Sequence, residues 1–246
     1  MIVIVDYGMG NLGSIRNMLK RIGAPSLISS DPSDIEAAAK LILPGVGAFD
    51  AGMSRLETLG LLPILNRKVL EERTPVLGLC LGMQLLTRAS EEGALPGLGW
   101  LDAEAKRLPV KPMVAADAAN AANAVDAVDA ADEVDDVEDV DAADDVEAAD
   151  SDLKIPHMGW NFVQPAYDSW LLADLPPDPR FYFVHSYYVA CRDARDIAGR
   201  TRYGGEFASV VVRDHVAGVQ FHPEKSHKYG MQLLKNFVDR GPDVPS

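Results

Sequence analysis

Apolar residues along the 246-residue chain fall into short blocks, with longer amphipathic segments between them. IVIVD (2–6) has the form of a buried strand and is bounded by the glycine-rich YGMGNLGS (7–14). Residues 13–22 follow a helical pattern that ends at Gly23. KLILPG (40–45) is a second compact block, closed by Pro44 and Gly45. Residues 50–72 are patterned as helix, interrupted at Gly60 and Pro63, because proline removes a helix donor and clashes with the preceding turn. PVLGLC (75–80) reads as another strand, and LGMQLLTRAS (81–90) as the helix that follows it. Strands alternating with helices predict an α/β fold: an open, mostly parallel sheet covered on both faces.

The second half is patterned differently. KIPHMGWNFV (154–163), RFYFVHSYYVA (180–190) and ASVVVRDHVAGVQFHPE (208–224) are rich in aromatic and β-branched residues, with turn signals between them. Such residues suit a pleated, half-buried surface, so additional antiparallel strands are expected in the C-terminal half. GMQLLKNFVDR (230–240) fits a closing helix with Leu233, Leu234, Phe237 and Val238 as its apolar positions.

Between the halves, residues 113–152 are almost entirely Ala, Asp, Val and Glu. Val125, Val128, Val134, Val137, Val140 and Val146 step by three or six, a spacing that drifts around a helix instead of holding one stripe. This composition predicts a disordered acidic low-complexity insertion within a single domain spanning 1–246; a partner-docking arm is the competing reading. The segment holds 15 Asp and Glu and no Lys or Arg, leaving 22 acidic and 23 basic residues elsewhere. The net charge of −14 therefore belongs to the segment and not to the fold. No basic stripe points to nucleic acid, and no apolar run of about 18 residues points to a membrane span. The opening residues read as a strand, not as a signal peptide. With two cysteines far apart in sequence, Cys80 and Cys191, a reduced cytoplasmic setting is expected.

GLCLG (78–82) lies between an apolar run and a helix. It is the cysteine form of the nucleophile elbow, in which glycines permit a tight strand-to-helix turn. Cys80 would stand at the carboxyl end of a strand and at a helix N-terminus, where free N–H groups favour thiolate. A small buried cysteine between two glycines would give the same letters. HPE (222–224) supplies a base and a carboxylate two positions apart, on one side of an extended segment. Glu224 could orient His222 while its other ring nitrogen faces Cys80. His157, His185, His215 and His227 lack such a carboxylate; His185 suits a core or pocket wall, and Cys191 reads as structural. PGVG (44–47) also ends an apolar run, and with the N–H of Leu81 an N–H of this loop could hold an oxyanion; an ordinary turn is the alternative.

With these motifs in view, the chain resembles the class I (triad) glutamine amidotransferases. Within them it is most similar to the glutaminase subunits of imidazole glycerol phosphate synthase. The resemblance runs through DYGMGNLGS (6–14), LPGVGAF (43–49), GLCLGMQLL (78–86), PHMGWN (156–161), FVHSYY (183–188) and HPEKS (222–226). It implies a flavodoxin-like fold and hydrolysis of L-glutamine to glutamate and ammonia by Cys80, His222 and Glu224. It further implies an oxyanion hole from Leu81 and the Val46–Gly47 peptide, and substrate binding by Gly47, Gln84, Ser186 and Tyr187. Ammonia would pass to a separate (β/α)8-barrel cyclase in a heterodimer of histidine biosynthesis, with Asn11, Met158, Trp160 and Asn161 near the interface. No metal-ligand cluster or phosphate loop is present, so no cofactor is expected. The family would join Leu108 to Lys154 by a short connection, so the acidic segment is a departure from its pattern. The nearest alternative is a glutaminase subunit serving another biosynthetic synthase; PHMGWN and HPEKS argue against it.

Overall fold

The computed structural model describes residues 1–109, 111–112 and 153–241, so the expected insertion at 113–152 lies outside the described residues. The N-terminal half alternates β1 (Ile2–Val5), α1 (Leu12–Arg21), β2 (Ser26–Ser29), α2 (Pro32–Glu36), β3 (Lys40–Leu43), α3 (Phe49–Thr58), α4 (Leu62–Asn66), β4 (Val76–Leu79) and α5 (Leu81–Leu85). Short strands β5 (Ala89–Ser90), β6 (Ala103–Arg107), β7 (Lys111–Pro112) and β8 (Lys154–Ile155) follow. The C-terminal half contains β9 (His157–Phe162), β10 (Gln164–Pro165), β11 (Arg180–His185), β12 (Tyr187–Cys191), β13 (Ile197–Arg202), β14 (Glu206–Arg213), β15 (Val216–Val219) and α6 (His227–Asp239).

One 11-stranded sheet organises the fold, in the order β2-β1-β3-β4-β15-β14-β12-β6-β5, with β13 and β10 joined beside β14. From β2 to β15 every pairing is parallel; β15–β14, β14–β12 and β12–β6 are antiparallel. The expected mixed α/β architecture is therefore present, and its parallel part follows the doubly wound order of flavodoxin-like sheets. β9 and β11 form a separate two-stranded antiparallel ribbon.

The strand pattern dictates a double-sided core. Ile2, Ile4, Ile42, Leu77 and Leu79 join the cluster under α1 and α6, whereas Val3, Val5, Leu41, Leu43 and Val76 join the one under α2 to α5. Alternate residues of one strand feed opposite faces, so near-continuous apolar runs are required in the centre of the sheet. Each fully buried Leu, Ile or Phe contributes roughly 1.5–3 kcal/mol. Among the described residues no helix is long and apolar enough to cross a membrane.

Two elements differ from expectation. The 50–72 stretch breaks at Gly60, between α3 and α4, as expected; Pro63 does not break it but sits in the first turn of α4, where its missing N–H is not needed, and the stretch ends in a π turn at Arg67–Glu71. The 81–90 helix stops at Leu85 because the carbonyls of Leu85 and Leu86 accept Leu98 N–H and Leu101 N–H from the next loop. Thr87 Oγ1 also donates to Gln84 O at 2.8 Å, competing for a carbonyl near the helix end.

Candidate active site

The carboxyl ends of β1, β3, β4 and β15 share one edge of the sheet, which brings DYGMG, PGVG, GLCLG and QFHPE together. Cys80 occupies the turn from β4 into α5 with φ 52° and ψ −109°. A side-chain-bearing residue in such a conformation stores about 1–3 kcal/mol. Its neighbours show why this site requires glycines. A Cβ on Gly82 would lie 1.8 Å from Leu43 O, and one on Gly78 would lie 2.8 Å from the Gly82 backbone. The turn can be this tight only if both flanks lack side chains. The buried Cys80 Sγ lies 3.7 Å from Val184 O and 3.8 Å from Gln220 Nε2.

β15 runs parallel to β4, so the chain beyond it arrives beside Cys80. His222 N–H donates to Tyr182 O at 2.9 Å, and Ser226 Oγ donates to His222 O at 2.6 Å. These bonds fix the backbone before the 3-10 turn Pro223–Lys225. That turn, and not an extended segment, carries Glu224 back to the ring: His222 Nδ1 and Glu224 Oε1 are 2.8 Å apart, and both side chains are buried. Burial would lower the His222 pKa. The charges of Cys80 and Glu224, with hydrogen bonds to both, overcome it and push the value up to about 10. Glu224 Oε2 is buried without a hydrogen-bond partner among the described residues.

The loop opposite Cys80 has a definite orientation. Leu81 N–H donates to Gly45 O at 3.3 Å, so one expected oxyanion donor is occupied by the protein's own carbonyl. Val46 and Gly47 are exposed. Tyr7 donates its hydroxyl to Pro44 O beneath this loop, and burial together with the charge of Cys80 raises its pKa. Gln84 is buried; its Nε2 donates to Tyr187 O at 3.1 Å and to Gln220 Oε1 at 3.2 Å. Ser186 and Tyr187 lie at the break between β11 and β12, and Ser186 O accepts Leu108 N–H at 3.0 Å.

Of the residues expected at an interface, Met158, Trp160 and Asn161 lie on β9, and Met158 is exposed. Asn11 caps α1, its Oδ1 accepting Ser14 N–H at 3.0 Å. Beside these residues, Tyr7, Gln220 and His157 hold places for which the motifs gave no role, and His185 takes the wall position expected of it. Gln220 links Gln84 to Cys80, Tyr7 supports the glycine loop, and His157 and His185 are paired behind Tyr187. Tyr7 and Gln220 could have been found from their places inside DYGMG and QFHPE; the histidine pair depends on strand register.

The family model described as "Glutamine amidotransferase class-I" matches residues 3–240. The chain is 46% identical over 238 residues to "Imidazole glycerol phosphate synthase subunit HisH 2" of Methanococcus maripaludis, covering 97% of this chain and 98% of that protein. It is also 46% identical over 239 residues to the subunit HisH 2 of Pseudomonas aeruginosa, covering 97% of this chain and 99% of the relative. A solved glutamine amidotransferase is similar in fold, with a TM-score of 0.59, 17% identity and 97% of each chain covered. The chain belongs to the class-I glutamine amidotransferases, and among them to the family of imidazole glycerol phosphate synthase HisH subunits.

Proposed function

We propose that this protein hydrolyses L-glutamine through a Cys80 thioester and delivers the ammonia to a (β/α)8-barrel cyclase subunit in a cytoplasmic heterodimer. The observation that carries the chemistry is a strained cysteine in a glycine-flanked turn, on a strand parallel and adjacent to the one that leads to a histidine held at 2.8 Å by a buried glutamate. The names of the relatives support the pathway and the existence of a partner subunit. A free thiol as nucleophile also suits a reducing compartment.

In the proposed cycle the Cys80 thiolate attacks the side-chain amide carbon of glutamine. The resulting oxyanion requires N–H donors, so the Gly45 carbonyl must turn away from Leu81 and the Val46–Gly47 segment must face the site. His222 gives its proton to the leaving nitrogen, and ammonia departs as the thioester forms. His222 then takes a proton from water, hydroxide adds to the thioester, and glutamate leaves as the thiolate is restored. Glu224 holds Nδ1, which leaves Nε2 for both transfers and stabilises the imidazolium between them. Gly47, Gln84, Ser186 and Tyr187 hold the substrate, and Asn11, Met158, Trp160 and Asn161 meet the cyclase.

Glutamate release is the test, measured with and without the cyclase subunit and its ribulosyl ligand. Turnover should rise with the loaded partner and fall more than about a thousandfold in Cys80→Ala. Turnover indifferent to that partner would remove the pathway assignment. No turnover in any condition would remove the enzyme mechanism as well.

A further inference from the structure

Two buried histidines take no part in the chemistry above, yet they connect the expected partner face to the site. β9 and β11 pair so that His157 and His185 are direct cross-strand neighbours. Their contacts have one consistent direction. Asn161 Nδ2 lies 3.2 Å from His157 Nε2. His157 Nδ1 lies 2.9 Å from His185 Nε2, and His185 Nδ1 lies 2.8 Å from Tyr187 O. A backbone carbonyl can only accept, so His185 must donate from Nδ1 and accept at Nε2. His157 must then donate from Nδ1 and accept from the Asn161 amide at Nε2. Every ring nitrogen is used once, and both rings are neutral.

The last acceptor is shared. Tyr187 O also receives Gln84 Nε2, which continues to Gln220 and from there to Cys80 Sγ. With both lone pairs of Tyr187 O engaged, rotating this peptide would break two hydrogen bonds together. The surroundings favour a neutral pair. His157 stacks between Phe183 and Tyr203, with ring centroids 4.8 and 4.0 Å away. Burial lowers the pKa of both histidines, to about 4 for His185.

We propose that His157 and His185 are positioning residues: a neutral hydrogen-bond relay from Asn161 to the Tyr187 carbonyl that fixes Gln84 and the Tyr187–Tyr188 peptide, and with it the backbone at Ser186 and Tyr187, for glutamine binding. This deepens the proposed function and rests on it for its kinetic consequence. Its outer end is on the strand bearing Met158 and Trp160, so partner contact at β9 and glutamine binding share one set of bonds.

Two variants of His157 separate relay from packing. His157→Phe preserves the aromatic stack and removes the donor to His185. His157→Asn removes the stack, while its amide reproduces the Nδ1 donor. The relay requires KM for glutamine to rise about five- to tenfold in His157→Phe, the size of one lost hydrogen bond, with kcat within about twofold. His157→Asn should melt lower than His157→Phe yet have a KM closer to the unsubstituted protein. A purely packing role gives the reverse ranking, and that result, or an unchanged KM in His157→Phe, overturns the proposal. The imidazole ¹⁵N spectrum of the unsubstituted protein judges the relay without any activity: both rings must carry the proton on Nδ1, and an Nε2–H form at either ring overturns it. If the unsubstituted protein fails to turn over glutamine, the functional reading falls, and the ¹⁵N spectrum still decides the relay.

Discussion

His222, at the end of β15, and His185, at the end of β11, are both buried, and the charge of His222 bears on His185. Their proton affinities nevertheless move in opposite directions. Desolvation disfavours the cation at both. His222 faces two anionic groups, Cys80 and Glu224, and its pKa rises to about 10; His185 faces His157 and a backbone carbonyl, and its pKa falls to about 4. Burial alone therefore does not give a histidine its role. The charge of its neighbours decides whether it is an acid–base group or a neutral connector.

Removing the carboxylate from the first of these environments should have the largest effect. Glu224→Gln keeps the shape but removes a negative charge and lets the ring choose the wrong tautomer. A loss of about a hundredfold or more in kcat is expected, read as glutamate release at saturating glutamine. Activity within threefold of the unsubstituted enzyme would mean that Glu224 does not orient His222.

The second environment should appear in the pH dependence of stability. The folded-state pKa of His185, about 4, lies below the ordinary 6.5, so the unfolded chain binds this proton first as pH falls. The contribution is present above about pH 6.5 and is lost toward pH 4, amounting to roughly 3 kcal/mol over that range. For His222 the sign is reversed: its contribution is present below about pH 6.5 and is lost as pH rises through about 10. Denaturant unfolding at pH 7, 6 and 5 should therefore show a steeper loss in the unsubstituted protein than in His185→Gln. Parallel slopes would contradict a neutral buried His185.

The contrast also separates what the sequence could reveal from what it could not. GLCLG was legible because its constraint is local: Gly78 and Gly82 must lack a Cβ for the turn to close around Cys80. The central strands were legible because burial on both faces demands continuous apolar runs. The short edge strand β2 (SLIS) carried no comparable signal. HPE pointed to the right pair of residues, although a 3-10 turn, and not strand alternation, joins them. The histidine relay was illegible because His157 and His185 meet only through the β9–β11 register, 28 residues apart. The orientation of Gly45 was illegible too, since a peptide can rotate without any change of sequence.

The smallest effect is expected from the largest excision. Deleting residues 115–150 removes 14 acidic residues and takes the formal net charge from −14 to zero. None of them belongs to the motifs that surround Cys80. The chain on either side is already adjacent, because β7 and β8 pair with Lys111 opposite Lys154 and Pro112 opposite Ile155. Because that two-residue ladder is parallel, the short connection left by the deletion is expected to release it, while β9 and the strands around Cys80 keep their own pairings. The shortened protein should keep its glutaminase rate within about twofold and still bind the cyclase. Its association rate should change most at low ionic strength, where the segment's charge is least screened. Because β8 leads directly into the relay strand β9, loss of partner stimulation in the shortened protein would show that the acidic segment acts on the β9 environment, whereas unchanged stimulation would leave Asn161, His157 and His185 as the part of that connection to pursue.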